Sequence, residues 1–171
     1  MCPLVMLAVG CSTSTSSQPG SPSSSAIQPD ASGAMDAACP EAAPVPSDSV
    51  PATVHDFDKN QKWYGAEDLW VAKPTLLNPT DGREERHPTK YASMTLDARG
   101  RSTDQKGAPH VDAERLDRPG SVRGSTGGFA TADGDRQWWP TVIDFPEAGC
   151  WRVTETLGST QVRFTVYVGA R

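Results

Sequence analysis

Cysteines, histidines and clustered carboxylates are the side chains here that could carry chemistry, and their spacing decides which chemistry. Cysteines stand at 2, 11, 39 and 150, and histidines at 55, 87 and 110. A structural zinc site needs thiolates and imidazoles at short, repeated intervals. No C-x-x-C or C-x-x-H spacing occurs, and His55, His87 and His110 are isolated from every cysteine, so no metal site is expected. Asp133-Gly134-Asp135 has the flavour of a calcium loop but lacks the regular acidic ladder and the distal glutamate, and reads as a polar turn. Gly120 to Gly128 (GSVRGSTGG) is glycine-rich without a G-K-[ST] ending, so it is no phosphate loop and reads as a mobile connection. Serines lie mostly before position 50, and no G-x-S-x-G elbow appears. No nucleophile, base or carboxylate pair assembles into a catalytic constellation, and no cofactor is implied.

The cysteines point instead to lipid attachment and to a disulfide. Met1 to Gly10 (MCPLVMLAVG) is a short apolar run that ends at Cys11 and a Ser-rich stretch. Small residues before such a cysteine are the mark of a lipoprotein signal, in which the thiol is acylated. Val9 and Gly10 suit the two preceding positions; Ala8 stands where leucine is usual, with Leu7 one place further out. The run is short and has no basic start, so Met1 is expected to lie inside a longer signal. Ten apolar residues cannot cross a bilayer that needs about 20, which excludes a retained span of residues 1–10. Acyl chains on Cys11 would instead hold the protein at the membrane, outside the cytoplasm. Cys2 would then leave with the signal, and in an exported protein the two that remain, Cys39 and Cys150, are expected to pair. Closing so long a loop is worth about 4–5 kcal/mol.

Aromatic residues offer the remaining route to function. Trp138 and Trp139 are adjacent, so in an extended strand they point to opposite faces. One can be core while the other meets solvent or a loop. With Trp63 and Tyr64, an exposed tryptophan could stack on a sugar ring or fill a partner's pocket. The plainer alternative is a large aromatic that caps one end of a sandwich.

These residues need elements to position them, and composition divides the chain sharply. Ser12 to Val50 holds no Lys, no Arg and no aromatic, only small, polar and acidic residues with few aliphatics. So little apolar bulk cannot offset the entropy of ordering a backbone, which predicts a disordered Ser/Pro/Ala-rich tether over 11–50. If the disulfide forms, the free part is Ser12 to Ala38, with a reach of roughly 30 Å. All 16 Lys and Arg follow position 54, and four of the 21 carboxylates precede it, which leaves the domain close to neutral with interspersed signs. That balance lacks the basic stripe a nucleic acid requires.

The domain, over 51–171, reads as strands. Gln161 to Val168 (QVRFTVYV) alternates Val162, Phe164, Val166 and Val168 with polar residues and Tyr167, the period of a half-buried strand. Cys150 to Leu157 precedes it, with Trp151, Val153 and Leu157 on one face, and Gly158-Ser159-Thr160 joins the two as a hairpin. Further strands are predicted at Thr53–Phe57, Leu69–Lys73, Tyr91–Asp97, Val111–Asp117 and Thr141–Phe145. Pro140 and Pro146 bracket the last, which favours an edge. Seven short strands separated by turns predict an all-β, antiparallel, monomeric sandwich.

Glu147-Ala148-Gly149-Cys150-Trp151-Arg152-Val153 resembles the start of immunoglobulin strand F, with Trp151 in the place of the corner tyrosine and Val153 in that of the second core cysteine. The disulfide across the sandwich is missing, and Cys150 faces the other way. Together with W-Y-G at Trp63–Gly65, L-W-V at Leu69–Val71 and F-P-x-x-G-C-W-x-V-T at Phe145–Thr154, this segment is similar to a group of uncharacterised bacterial lipoproteins of the actinobacterial type. The similarity spans about Cys39 onward and is specific only in its final third. It implies an immunoglobulin-like β-sandwich and an envelope location, and carries over no functional residue. Three functions are expected in descending order. The first is an envelope module that binds a protein or glycan without chemistry. A structural or accessory subunit of a membrane complex comes next, and a secreted enzyme or metal carrier last.

Overall fold

The computed structural model describes residues 39–77 and 86–169. The expected signal at 1–10, Cys11, the expected tether as far as Ala38 and the expected turn at Asn78–Gly82 lie outside the described residues. From Cys39 an arm runs along the domain, with Ala42, Val45 and Val50 packed against its core. The packed chain thus begins ahead of position 51, because the disulfide and these small apolar residues hold the arm down. A 3-10 turn at Ser47–Ser49 leads to α1 (Ala52–Phe57). Thr53–Phe57 is therefore a helix, not the expected strand. Pro51 precedes it with φ −54°, a value preset for a helix start where no N–H is needed. Val54 and Phe57, three apart, then share one helical face.

Eleven strands follow among the described residues: β1 (Trp63–Ala66), β2 (Leu69–Ala72), β3 (Thr75–Leu76), β4 (His87–Thr95), β5 (His110–Arg115), β6 (Ser121–Arg123), β7 (Ser125–Thr126), β8 (Ala130–Ala132), β9 (Arg136–Phe145), β10 (Gly149–Leu157) and β11 (Thr160–Val168). One sheet runs β1-β2-β4-β9-β7, with β3 paired to β4 and β8 to β9; the other runs β11-β10-β5-β6. Every pairing is antiparallel. With β2, β4, β9 and β7 as strands A, B, E and D, and β5, β10 and β11 as C, F and G, this is the immunoglobulin-like order. The chain is an all-β sandwich.

The C-terminal hairpin follows the alternation. In β10 and β11, Trp151, Val153, Leu157, Val162, Phe164 and Val168 are buried, and Leu157 pairs with Thr160 across Gly158-Ser159. Gly158 has φ +58°, the left-handed value that a tight hairpin's first turn position demands. Trp151 fills the corner position: its indole N–H donates to the Glu147 carbonyl at 3.2 Å, four residues upstream.

Two corrections concern β9 and the glycine-rich segment. β9 is not an edge strand, because β4 pairs along one side while β8 and β7 share the other. Pro140 is tolerated because it lies where β8 gives way to β7. There it only accepts, from the Gly127 N–H at 2.7 Å, so its missing donor costs nothing. Gly120 to Gly128 is no loose connection either. It forms β6 on one sheet and β7 on the other, and the chain changes sheet at Gly124.

Buried side chains fill two layers. Between the sheets lie Tyr64, Val71, Tyr91, Val111, Ile143, Phe145, Trp151, Val153 and Phe164. Outside the first sheet, α1 covers a second apolar layer, in which Phe57 meets Trp63 (6.0 Å) and Trp138 (5.3 Å) edge to face.

Candidate functional site

Cys39 and Cys150 form a disulfide with Cα atoms 5.4 Å apart. Trp151 points into the core, so the pleat turns Cys150 outward, where Cys39 at the head of the arm covers it. The arm then passes β1, and the Val45 N–H donates to the Trp63 carbonyl at 2.8 Å. Glu41 pairs with Lys73, which follows β2.

These contacts leave a groove of about 520 Å³ between the arm, the β2–β3 segment and β11, large enough for a small ligand. Its apolar lining comes from Tyr64, Pro74, Leu76, Val166 and Tyr167, and Glu41, Gln61, Lys73, Thr75 and Thr165 supply polar groups. The Tyr64 ring stacks on Phe164 at 4.8 Å, with 5° between the planes. Burial, and then the Glu41 carboxylate, raise the Tyr64 phenol above its ordinary pKa. Leu76 and Tyr167 are about two-fifths exposed (42% and 43%) at the rim. Apolar walls with a few convergent polar groups can hold a ring or a short aliphatic segment and fix its orientation.

The four aromatics singled out from sequence do not form one exposed patch. Trp63, Tyr64 and Trp139 are buried, and Trp138 is half-buried under Phe57. Trp139 packs on Phe129 at 4.9 Å, and its N–H donates to Thr95 Oγ1 at 3.0 Å. Trp138 is covered because α1 overlies the outer face of the first sheet, whereas Trp139 points to the opposite face and is covered there by Phe129. A helix at Thr53–Phe57 was the missing premise. Only Tyr64 meets the groove. The groove's rim, Leu76 and Tyr167, was not recognised in the sequence; Tyr167 carried a signal, as a large aromatic at an outward position of a strand.

His55, His87 and His110 remain apart, on α1, β4 and β5, and no group of three or more potential metal ligands occurs among the described residues. Asp133-Gly134-Asp135 is the β8–β9 turn, with left-handed φ at Gly134 (+74°) and Asp135 (+55°). Among the described residues no helix is long and apolar enough to cross a membrane. One charged residue escaped the sequence reading: Glu155 lies inside the sandwich with no exposed surface. Its signal was its register. Trp151, Val153 and Leu157 face inward, so alternation puts Glu155 inward as well.

No protein-family model, curated protein or solved structure matches this chain.

Proposed function

We propose that this protein is an extracytoplasmic binding module: an envelope lipoprotein anchored through acylated Cys11, whose sandwich offers the arm-side groove to a ligand and performs no chemistry on it. The observation that carries this reading is the Cys39–Cys150 disulfide. Such bonds persist in oxidising compartments and are rare in the cytosol, so the bond supports the export signal read at Met1–Cys11. The groove supports the binding half, since it combines the Tyr64 and Tyr167 rings with the Glu41–Lys73 pair at the domain's pinned end. A sugar ring or a short peptide segment matches that mixture of faces and polar groups.

Expression with labelled palmitate in a bacterial host, with the signal extended upstream to a basic start, tests the anchor. The wild-type chain should take up label in the membrane fraction, and Cys11→Ser should abolish both uptake and membrane retention. An unlabelled chain that keeps its extended signal in the cytosol would reject the anchor. Binding is tested on glycan and peptide arrays with the 39–171 domain and its Tyr167→Ala variant. A ligand captured by the first and at least tenfold weaker on the second supports the groove; equal capture by both rejects it.

A further inference from the structure

The centre of the sandwich is polar where two sheets normally meet through hydrocarbon. Glu155 Oε1 accepts a hydrogen bond from Ser93 Oγ at 3.1 Å, and Ser93 Oγ lies 2.7 Å from Thr141 Oγ1. One carboxyl group of β10 thus bonds Ser93 of the opposite sheet, which in turn meets Thr141. Glu155 Oε2 and the Tyr91 hydroxyl are both buried without a hydrogen-bond partner of good geometry, although the two groups are close enough to perturb each other.

The surroundings hold no counter-charge. β4 contributes Tyr91 and Ser93, and β9 contributes Thr141. β5 and β11 contribute Val111 and Val162, the cross-strand neighbours of Glu155. Tyr91 is the titratable group among these. Burial, followed by the charge of Glu155, holds its phenol well above the ordinary value, so it stays neutral. His87, also buried on β4, lies four residues beyond Tyr91. None of the ion pairs among the described residues includes Glu155. A carboxylate held by one hydroxyl in a dry core, with no cation beside it, is costly. The group keeps its proton instead.

We propose that Glu155 is a proton-operated clasp: neutral, it joins the two sheets through Ser93 and Thr141, and ionised, it drives them apart, so the domain tightens in acid and loosens as pH rises. Burial moves the carboxyl from the ordinary 4.5 up to about 7, against the opposing pull of the nearby Tyr91 and Ser93 hydroxyls. Between those values the folded chain binds a proton that the unfolded chain has lost. Stability is therefore complete below about pH 4.5, falls as pH rises through about 7, and levels off above. A domain outside the cytoplasm meets the pH of its surroundings directly. The proposal stands whether or not the groove binds a ligand.

Urea unfolding of the disulfide-intact 39–171 domain, followed from about pH 5 to about pH 8, tests the clasp. The unfolding constant of the wild type should rise on the order of a hundredfold over that window relative to Glu155→Gln, which keeps the shape of the side chain and cannot ionise. The difference between the two profiles is the readout, because every other ionisable group is common to both proteins. Identical profiles would overturn the proposal. Should the glutamine variant fail to fold, infrared spectroscopy of the native wild type decides instead. A protonated carboxyl band at about pH 6 that disappears with a near-neutral midpoint supports the clasp. Its absence there, where an ordinary carboxyl is ionised, overturns it.

Discussion

Arg115 and Glu155 are both carried out of water, with opposite provisions. The Arg115 side chain is only 7% exposed, yet its guanidinium donates to Asp117 (2.6 Å) and Glu147 (2.5 Å) and lies 5.7 Å over the Trp151 ring. Gly149 makes this possible, since a Cβ there would come within 2.5 Å of the guanidinium. Glu155 has one hydroxyl and no cation, so burial raises its carboxyl to about 7, whereas the Arg115 guanidinium is met by two carboxylates. The planar fork and the stacking are properties an ammonium lacks. Arg115→Lys should therefore lower the unfolding free energy by about 1–2 kcal/mol in urea titrations, with a change in the near-ultraviolet dichroism of Trp151. A variant as stable as wild type would show that only the charge matters. Neither provision was legible in the sequence. Alternation along β10 could place Glu155 inside, but Ser93 and Thr141 are supplied by strands far away in the chain.

Elements were legible in proportion to how local their causes are. The β10–β11 hairpin needs only a period-two run and a two-residue turn, and the sequence predicts it within a residue at each end. α1 was missed because Thr53–Phe57 is too short to display a period, and its cause is the layer of Trp63 and Trp138 beneath it. The segment Ser121–Thr126 was missed for a similar reason: its strands are three and two residues long and belong to different sheets. Gly124, between them, passes from one sheet to the other against Val111 of β5 and Ile143 of β9. A Cβ there would lie 2.7 Å from Val111 Cγ1 and 3.0 Å from Ile143 Cγ1. Gly124→Ala should cost about 2 kcal/mol through overpacking. Gly128→Ala, with nothing within 4 Å of its new methyl, serves as the control. Thermal unfolding of the two variants separates them, and equal midpoints would mean that the sheets part easily at the crossing.

At the scale of the whole molecule, the disulfide joins what composition separates. Residues 12–50 share one bland composition, yet 39–50 are packed on the domain because Cys39 is bonded across 111 residues to Cys150. Sequence alone could name the pair from export and elimination. It could not show that the same bond would shape a groove, which depends on where β11 and the β2–β3 segment pass the arm. Apart from the bond, what holds the arm down among the described residues is the partial burial of Ala42, Val45 and Val50, one backbone hydrogen bond and the half-exposed Glu41–Lys73 pair. Exposed pairs of that kind contribute at most about 1 kcal/mol. Loss of the bond should therefore release the arm before the sheets. In a Cys39→Ser, Cys150→Ser double variant the unfolding free energy should fall by up to about 4–5 kcal/mol. A broad-specificity protease should then cut within 39–50 of the still-folded protein, at sites protected in the oxidised wild type. Stability within about 1 kcal/mol of wild type, with the arm still protected, would show that packing alone holds it. In that case the groove would survive in a reducing compartment, and the disulfide would no longer argue for export.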